Sequence, residues 1–196
     1  MIYEMKQNLR HEIRRHRKKH HDGVQQSDID DTIVSSFLSL KIPMTQVIAG
    51  YLPVGTELNI TGLLGKLLEV GYQLCLPVAL GVSQPMQFRQ WHIDSPLTND
   101  IAGIPAPGLE ATTLIPDVLL IPLLAFDEQG NRLGQGMGYY DTTLAALFAQ
   151  KTILVIGMAY EVQKVPHVPT HPTDFPMDVI ITEQHIYDLN QSKENR

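Results

Sequence analysis

The chain has 196 residues, 43% of them apolar, a formal net charge of −6 and a single cysteine, Cys75. That composition fits one globular domain with a proper core; it excludes an internal disulfide and offers no apolar run long enough to span a bilayer. The start is charged, not a short basic stretch followed by an apolar one, so no secretory signal is read there and a cytoplasmic location is expected.

Charge is unevenly spread. Residues 1–21 hold seven Lys or Arg (Lys6, Arg10, Arg14, Arg15, Arg17, Lys18, Lys19) against two acids, Glu4 and Glu12; the remainder holds eight bases against nineteen acids. Residues 3–20 read as a helix on which Lys6, Arg10, Arg14 and Arg17 share a face, with Leu9 and Ile13 beside them as anchors. The stripe fits a solvated basic face, a nucleic-acid arm or a set of cations serving an anionic small molecule. Interleaved aromatics and a recognised nucleic-acid module are missing, which disfavours the second. His11-Glu12 is not a zinc-protease motif, because the next histidine, His16, is one residue too far.

Asp22-Gly23 breaks the chain before a second helix at 28–40. Residues 46–51 form a short apolar run before Pro53 and read as a buried strand. A helix over 59–70 follows, with Gly71 as its stop. Residues 72–78 and 86–91 predict two more strands, the second at an edge. Residues 92–116, rich in Pro, Gly and Thr, read as a long surface crossing. Apolar runs at 117–124 and 151–159 predict central strands, separated by a glycine-rich loop at 127–138 and a helix at 139–150. A last strand is expected at 178–182, and the chain after about Tyr187 reads as polar. The alternation predicts an α/β fold: a single domain over 1–190, with a mostly parallel central sheet flanked by helices, an N-terminal basic helix and a frayed tail at 191–196.

The chemistry is concentrated in Arg132-Leu133-Gly134-Gln135-Gly136-Met137-Gly138-Tyr139-Tyr140-Asp141. Alternate glycines let backbone N–H groups converge on an anion. The helix that follows adds its positive N-terminal dipole. Arg132 supplies a permanent cation, and Asp141 a hard oxygen suited to Mg²⁺ on nucleotide phosphates. The stretch is not a G-x-x-x-x-G-K-[ST] loop, and Tyr139 breaks the spacing of a dinucleotide fingerprint. A glycine-rich stretch of this kind is also compatible with a plain turn. Glu57 reads equally well as an acid near the start of the 59–70 helix, and Trp91 as packing.

Arg132 to Asp141, preceded by Ala125-Phe126-Asp127 and Gly130, resembles the signature of the 5-formyltetrahydrofolate cyclo-ligases, or methenyltetrahydrofolate synthetases. Lys6-x-x-Leu9-Arg10 resembles that family's nucleotide-binding first helix. Tyr51-x-Pro53 with Glu57, Phe88-x-x-Trp91, Gly103-Ile104-x-x-Pro107, Val168-Pro169 with Asp174, and the run from Asp178 to Glu183 follow in the family's order. The likeness spans nearly the whole chain. Met137, Thr142, His171 and Thr173 depart from the common pattern.

The resemblance implies an ATP- and Mg²⁺-dependent enzyme that closes 5-formyltetrahydrofolate to 5,10-methenyltetrahydrofolate, acting as a monomer on a small molecule and not on nucleic acid or membrane. A non-catalytic folate- or nucleotide-binding paralogue is the alternative. The resemblance to the cyclo-ligases implies catalytic roles for Arg132 and Tyr140. Nucleotide would be bound by Lys6, Arg10 and the loop from Arg132 to Tyr140, that is Arg132, Leu133, Gly134, Gln135, Gly136, Met137, Gly138, Tyr139 and Tyr140. Folate would be bound by Leu52, Glu57, Trp91 and Tyr140, and metal by Asp141 and Asp174.

Overall fold

The fold is that of a computed structural model, which describes residues 2–189; the expected frayed tail at 191–196 lies outside the described residues. Two helices open the chain, α1 (Ile2–His21) and α2 (Gln26–Ser39), and β1 (Val47–Ala49) follows. Next come α3 (Thr61–Val70), β2 (Gln73–Val78), β3 (Gln87–Gln90), β4 (Leu97–Asn99), β5 (Pro105–Pro107), β6 (Thr113–Leu114) and β7 (Val118–Pro122). The chain then forms β8 (Ala125–Phe126), β9 (Arg132–Leu133), α4 (Tyr139–Phe148), β10 (Leu154–Met158), a 3₁₀ turn at Glu161–Gln163, β11 (Val179–Ile181) and β12 (Ile186–Asp188).

Among the described residues the main sheet runs β12-β11-β10-β7-β1-β2-β3-β6. The stretch from β11 through β10, β7 and β1 to β2 is parallel, whereas β12 on one side and β3 and β6 on the other join antiparallel. Continuous apolar strands make this possible, because successive side chains point to opposite faces and both faces are covered. Ile48, Leu74, Leu76, Val118, Leu120, Ile156 and Met158 pack with Ile29, Ile33 and Phe37 of α2 and Leu63, Leu64 and Leu67 of α3. Ala49, Cys75, Leu119, Ile121, Val155 and Ile180 pack on the other face with Leu144 and Leu147 of α4. Each fully buried aliphatic of this kind contributes ~1.5–3 kcal/mol.

The helix over 59–70 ends where Gly71 predicts. Gly71 takes a φ of 99°, and its N–H and that of Tyr72 return to Leu68 O and Leu67 O, a left-handed cap that glycine adopts without strain.

Four expectations change. Residues 92–116 are not a bare crossing: β4 pairs with β5, and β6 pairs with β3, so β6 replaces β3 as the outer strand. The loop at 127–138 contains β9, which pairs back on β8 as a small hairpin. Residues 178–182 are not the last strand, because β12 follows β11. Nor is the chain polar and free as far as Leu189: Leu189 packs into the core beside β11, and its N–H donates to Asp178 O.

The chain leaves β1 for β2 on one side and later returns to β7 on the other. Its carboxyl edge therefore parts at β1 and β7, the place where open α/β sheets bind ligands. Among the described residues no helix is long and apolar enough to cross a membrane.

Candidate active site

The site begins where β7 ends. The β8–β9 hairpin turns around Asp127, a buried carboxylate that accepts from Gln129 N, Asn131 N, Asn131 Nδ2 and Val168 N. That closed set of bonds fixes where β9 delivers Arg132 and where the glycine loop starts. Gly136 (φ 106°) and Gly138 (φ 74°) lie in the left-handed region, and Gly134 does not, so the bend rests on the second and third glycines. Gly138 is also the N-cap of α4 and offers no side-chain cap. The first N–H groups of α4 thus lack intrahelical partners and face the cleft with the positive end of the helix dipole.

Helix α1 braces this loop. Leu9 and Ile13 dock it on Leu124, Ala125, Leu133 and Val168. Its cationic stripe then meets the protein residue by residue. Lys6 Nζ lies 2.5 Å from Asp174 Oδ2. Arg10 Nε donates to Gly134 O at 3.0 Å. Arg14 donates to both the carbonyl and the side-chain oxygen of Gln135. Arg17 donates to Thr56 Oγ1 at 3.1 Å and to Leu123 O. Arg10 and Arg17 are buried, which removes the solvated-face reading for those two, while Arg14, Arg15, Lys18 and Lys19 are exposed.

Between the loop and the carboxyl ends of the strands lies a cleft of ≈ 730 Å³. Every residue nominated from the sequence lines it except one. The exception is Trp91, which is 3% exposed and packs among the residues facing α2 and α3; its placement against folate is corrected to a core position. The other nominated residues share one space: Lys6, Arg10 and Asp174 at one wall, the loop from Arg132 to Asp141 above, and Leu52, Glu57 and Tyr140 toward β1.

Burial pushes the Glu57 carboxyl above its ordinary range, although Val54 N–H, the Arg17 charge and the Gln135 side chain act against it. Burial also pushes the Tyr140 phenol far up, with Glu57 adding to the effect and Arg132 opposing it, so Tyr140 keeps its proton. Burial would raise Asp174 too, but its bonds to Lys6 and His171 N–H and the charges of Lys6 and Arg132 outweigh that and hold it below its ordinary value.

The two acids nominated for metal are each engaged. Asp141 Oδ1 accepts from Arg132 Nη2 at 2.5 Å, and Arg132 Nη1 also donates to Phe175 O. Asp174 is the partner of Lys6. Among the described residues there is no cluster of three or more His, Cys, Asp or Glu that could hold an ion. The donors present suit a metal carried in on phosphates, which needs only one or two carboxylates from the protein, and not a resident ion.

Sequence reading missed part of the wall. Pro77 and Pro122 line the cleft at the ends of β2 and β7, as do Met86, Ile104 and Pro105. The prolines carried a signal: two central apolar runs each reach a Pro at the same edge of a parallel sheet.

Residues 2–183 match the 5-formyltetrahydrofolate cyclo-ligase family. The chain belongs to that family. A 5-formyltetrahydrofolate cyclo-ligase of Haemophilus influenzae is 31% identical over 189 residues, covering 92% of this chain and 100% of the relative. Its counterpart in Escherichia coli K12 is 32% identical over 152 residues, covering 75% of this chain and 83% of that one. Among solved structures, the 5,10-methenyltetrahydrofolate synthetase of Aquifex aeolicus superposes with a TM-score of 0.75 at 27% identity, over 94% of this chain and 93% of that one. The cyclo-ligase family is one of ligases, and this member keeps its cleft at the parting of the parallel strands. Where it departs from the family's common pattern, the residues sit at the margins of the site. Met137 is 64% exposed on the rim, Thr142 N closes the first turn of α4 on Gly138 O, and the His171 ring bonds Thr173 in the turn that presents Asp174.

Proposed function

We propose that this chain converts 5-formyltetrahydrofolate and ATP into 5,10-methenyltetrahydrofolate, ADP and phosphate. The observation that carries the reading is the shape of one cleft with two chemically distinct ends. The loop end gathers Lys6, Arg10, Arg132 and unpartnered helix N–H groups, which suits a polyphosphate. The β1 end holds Glu57, a buried acceptor for the adjacent N–H donors of a pterin ring, beside the apolar wall of Leu52 and Tyr51.

ATP bound at the loop would supply the phosphoryl group that converts the formyl oxygen from a hydroxide leaving group into a phosphate one. The residues provide position and charge. Lys6, Arg10 and Arg132 offset phosphate charge. The backbone from Gly134 to Gly138 cradles the phosphates. Tyr140, protonated and lying between the Glu57 and Arg132 ends, donates a hydrogen bond at the junction of nucleotide and folate. Glu57 fixes the ring so that N10 faces the formyl carbon. No strong general base is required, because the new C–N bond follows activation of that carbon.

The deciding assay is formation of the methenyl chromophore from 5-formyltetrahydrofolate with and without ATP. Product only with ATP supports the reading. Tight folate or nucleotide binding without product would instead favour a non-catalytic paralogue. The presence of Lys6, Arg132 and Asp141 together in one cleft supports the enzyme over the binder. The site needs no residue beyond those of this chain, which is compatible with action as a monomer, and sedimentation at working concentration tests that point; the cytoplasmic location remains the expectation read from the sequence.

Lys6→Ala is expected to weaken ATP binding about tenfold or more while the melting transition survives. It removes a cation and also leaves Asp174 uncompensated beside the phosphates. Calorimetry showing unchanged ATP affinity would reject the role. Asp141 and Asp174 are the carboxylates that would hold Mg²⁺ carried on the nucleotide. Turnover is therefore expected to need Mg²⁺, and Asp141→Asn to lose most of it. Full activity of that variant, or of the parent in excess chelator, would sink the metal assignment.

A further inference from the structure

The reading of a folate end around Glu57 leaves the buried Arg17 unexplained. Arg17 is 4% exposed and does not line the cleft, so it cannot touch either substrate. It nevertheless crosses from α1 to the segment that does. We infer that Arg17 is a positioning residue for the folate end of the cleft: it ties the Thr56–Glu57 segment to α1 and supplies the counter-charge that Glu57 faces from behind.

The geometry is specific. Arg17 Nε donates to Thr56 Oγ1, the side chain immediately before Glu57, at 3.1 Å. Its Nη1 reaches Leu123 O, a carbonyl that Gln163 Nε2 also bonds at 2.6 Å. The guanidinium is therefore braced on the end of β7 while it holds the turn after β1, the two strands whose parting makes the cleft. Glu57 Oε2 accepts from Val54 N at 3.0 Å, which closes the turn on the other side. The groups that face Glu57 electrostatically are Arg17, the Gln135 amide and the phenols of Tyr51 and Tyr140; Arg17 is the one cation among them. Those that face Arg17 are Glu57, Tyr51, Tyr160 and Arg14. Burial lowers Arg17 and raises Glu57, and each charge opposes the other's burial effect. Removing Arg17 leaves the buried Glu57 carboxylate without its counter-charge, so Glu57 takes a proton at higher pH and loses its value as an acceptor.

Arg17 also belongs to the helix that carries Lys6 and Arg10, so a purely structural role must be separated from this one. The experiment compares Arg17→Met, Arg17→Lys and Thr56→Val with the parent in ring closure and in calorimetric binding of 5-formyltetrahydrofolate and of ATP. Arg17→Met is expected to raise KM for folate about tenfold with a much smaller change in ATP affinity, and to move the acid limb of kcat/KM for folate up by about one pH unit. Arg17→Lys should restore the limb, because the charge returns, while part of the KM defect persists. Thr56→Val should raise KM for folate and leave the limb in place. Equal weakening of folate and ATP by Arg17→Met, with an unmoved limb, would overturn the assignment and leave Arg17 as a packing residue of α1. Should Arg17→Met not fold, parental folate KM in both Arg17→Lys and Thr56→Val overturns it equally. Failure of the parent to make product counts against the proposed function, whereas the variant-to-parent ratio of folate affinity reports on Arg17 alone. A parent that neither reacts with nor binds 5-formyltetrahydrofolate overturns both.

Discussion

Arg132→Met is expected to lower kcat/KM for ring closure about 10³-fold, the usual scale for removing a preorganised donor from a transferring group. Arg132 is 7% exposed, and the two ends of its guanidinium are committed, one to Phe175 O and one to Asp141. Its direction is thus set before any phosphate arrives. Methionine keeps the apolar stem but leaves Asp141 as a bare negative charge beside the loop, so the variant repels what the parent attracts. Loss of the donor to Phe175 O should cost about 1–3 kcal/mol of stability, visible as a lowered melting temperature without loss of the cooperative transition. Single-turnover kinetics with saturating ATP separates the two effects. Near-parental rates in that regime would remove Arg132 from the chemistry and leave it as a hinge between β9 and the 175 segment.

Gly136→Val is expected to abolish ATP-dependent closure while the domain still folds. Gly136 holds a φ of 106°, and a β-carbon there would stand 3.3 Å from the Arg10 guanidinium carbon. The variant must either strain the backbone, at about 1–3 kcal/mol for such a position, or swing the loop and push Arg10 off Gly134 O. Either path spoils the phosphate cradle, yet the loop lies at the edge of the sheet and not in its core. The neighbouring Met137 is exposed on the rim, and Met137→Lys should turn over normally. Two adjacent residues of one loop therefore have opposite sensitivities. Normal turnover by Gly136→Val, or loss of folding by both variants, would leave the cradle without support.

Much of this arrangement is legible in the sequence because it rests on local pattern. The stripe of Lys6, Arg10, Arg14 and Arg17 is a matter of helical spacing, and the central strands announce themselves as continuous apolar runs. What stays hidden depends on partners far along the chain. The two-residue strands β6, β8 and β9 are too short to show any period, and they exist only because β3 or each other lies alongside. The resemblance of Phe88-x-x-Trp91 implies that Trp91 faces the folate. Residues three apart along an extended strand point to opposite faces, and the structure puts Phe88 on the α4 side and Trp91 on the α2 and α3 side. Asp141 reads as a metal ligand because a carboxylate beside phosphate needs a cation, and Asp174 joins it through the family resemblance. The cations they have found, Arg132 and Lys6, come from nine and 168 residues away.

That last separation bears on how the protein is made. Lys6 is made 168 residues before Asp174 and must wait for it before its side of the cleft can close. Contacts of such long range form late, after local helices and the central strands have collapsed. A nascent chain halted before the 170s would already hold the partners of Arg10, Arg14 and Arg17, while Lys6 still lacked Asp174. The Lys6 side of the phosphate site is therefore complete only once the segment around Asp174 has been made, and a nick near Asp174 would open that side of the pocket while the sheet stayed folded.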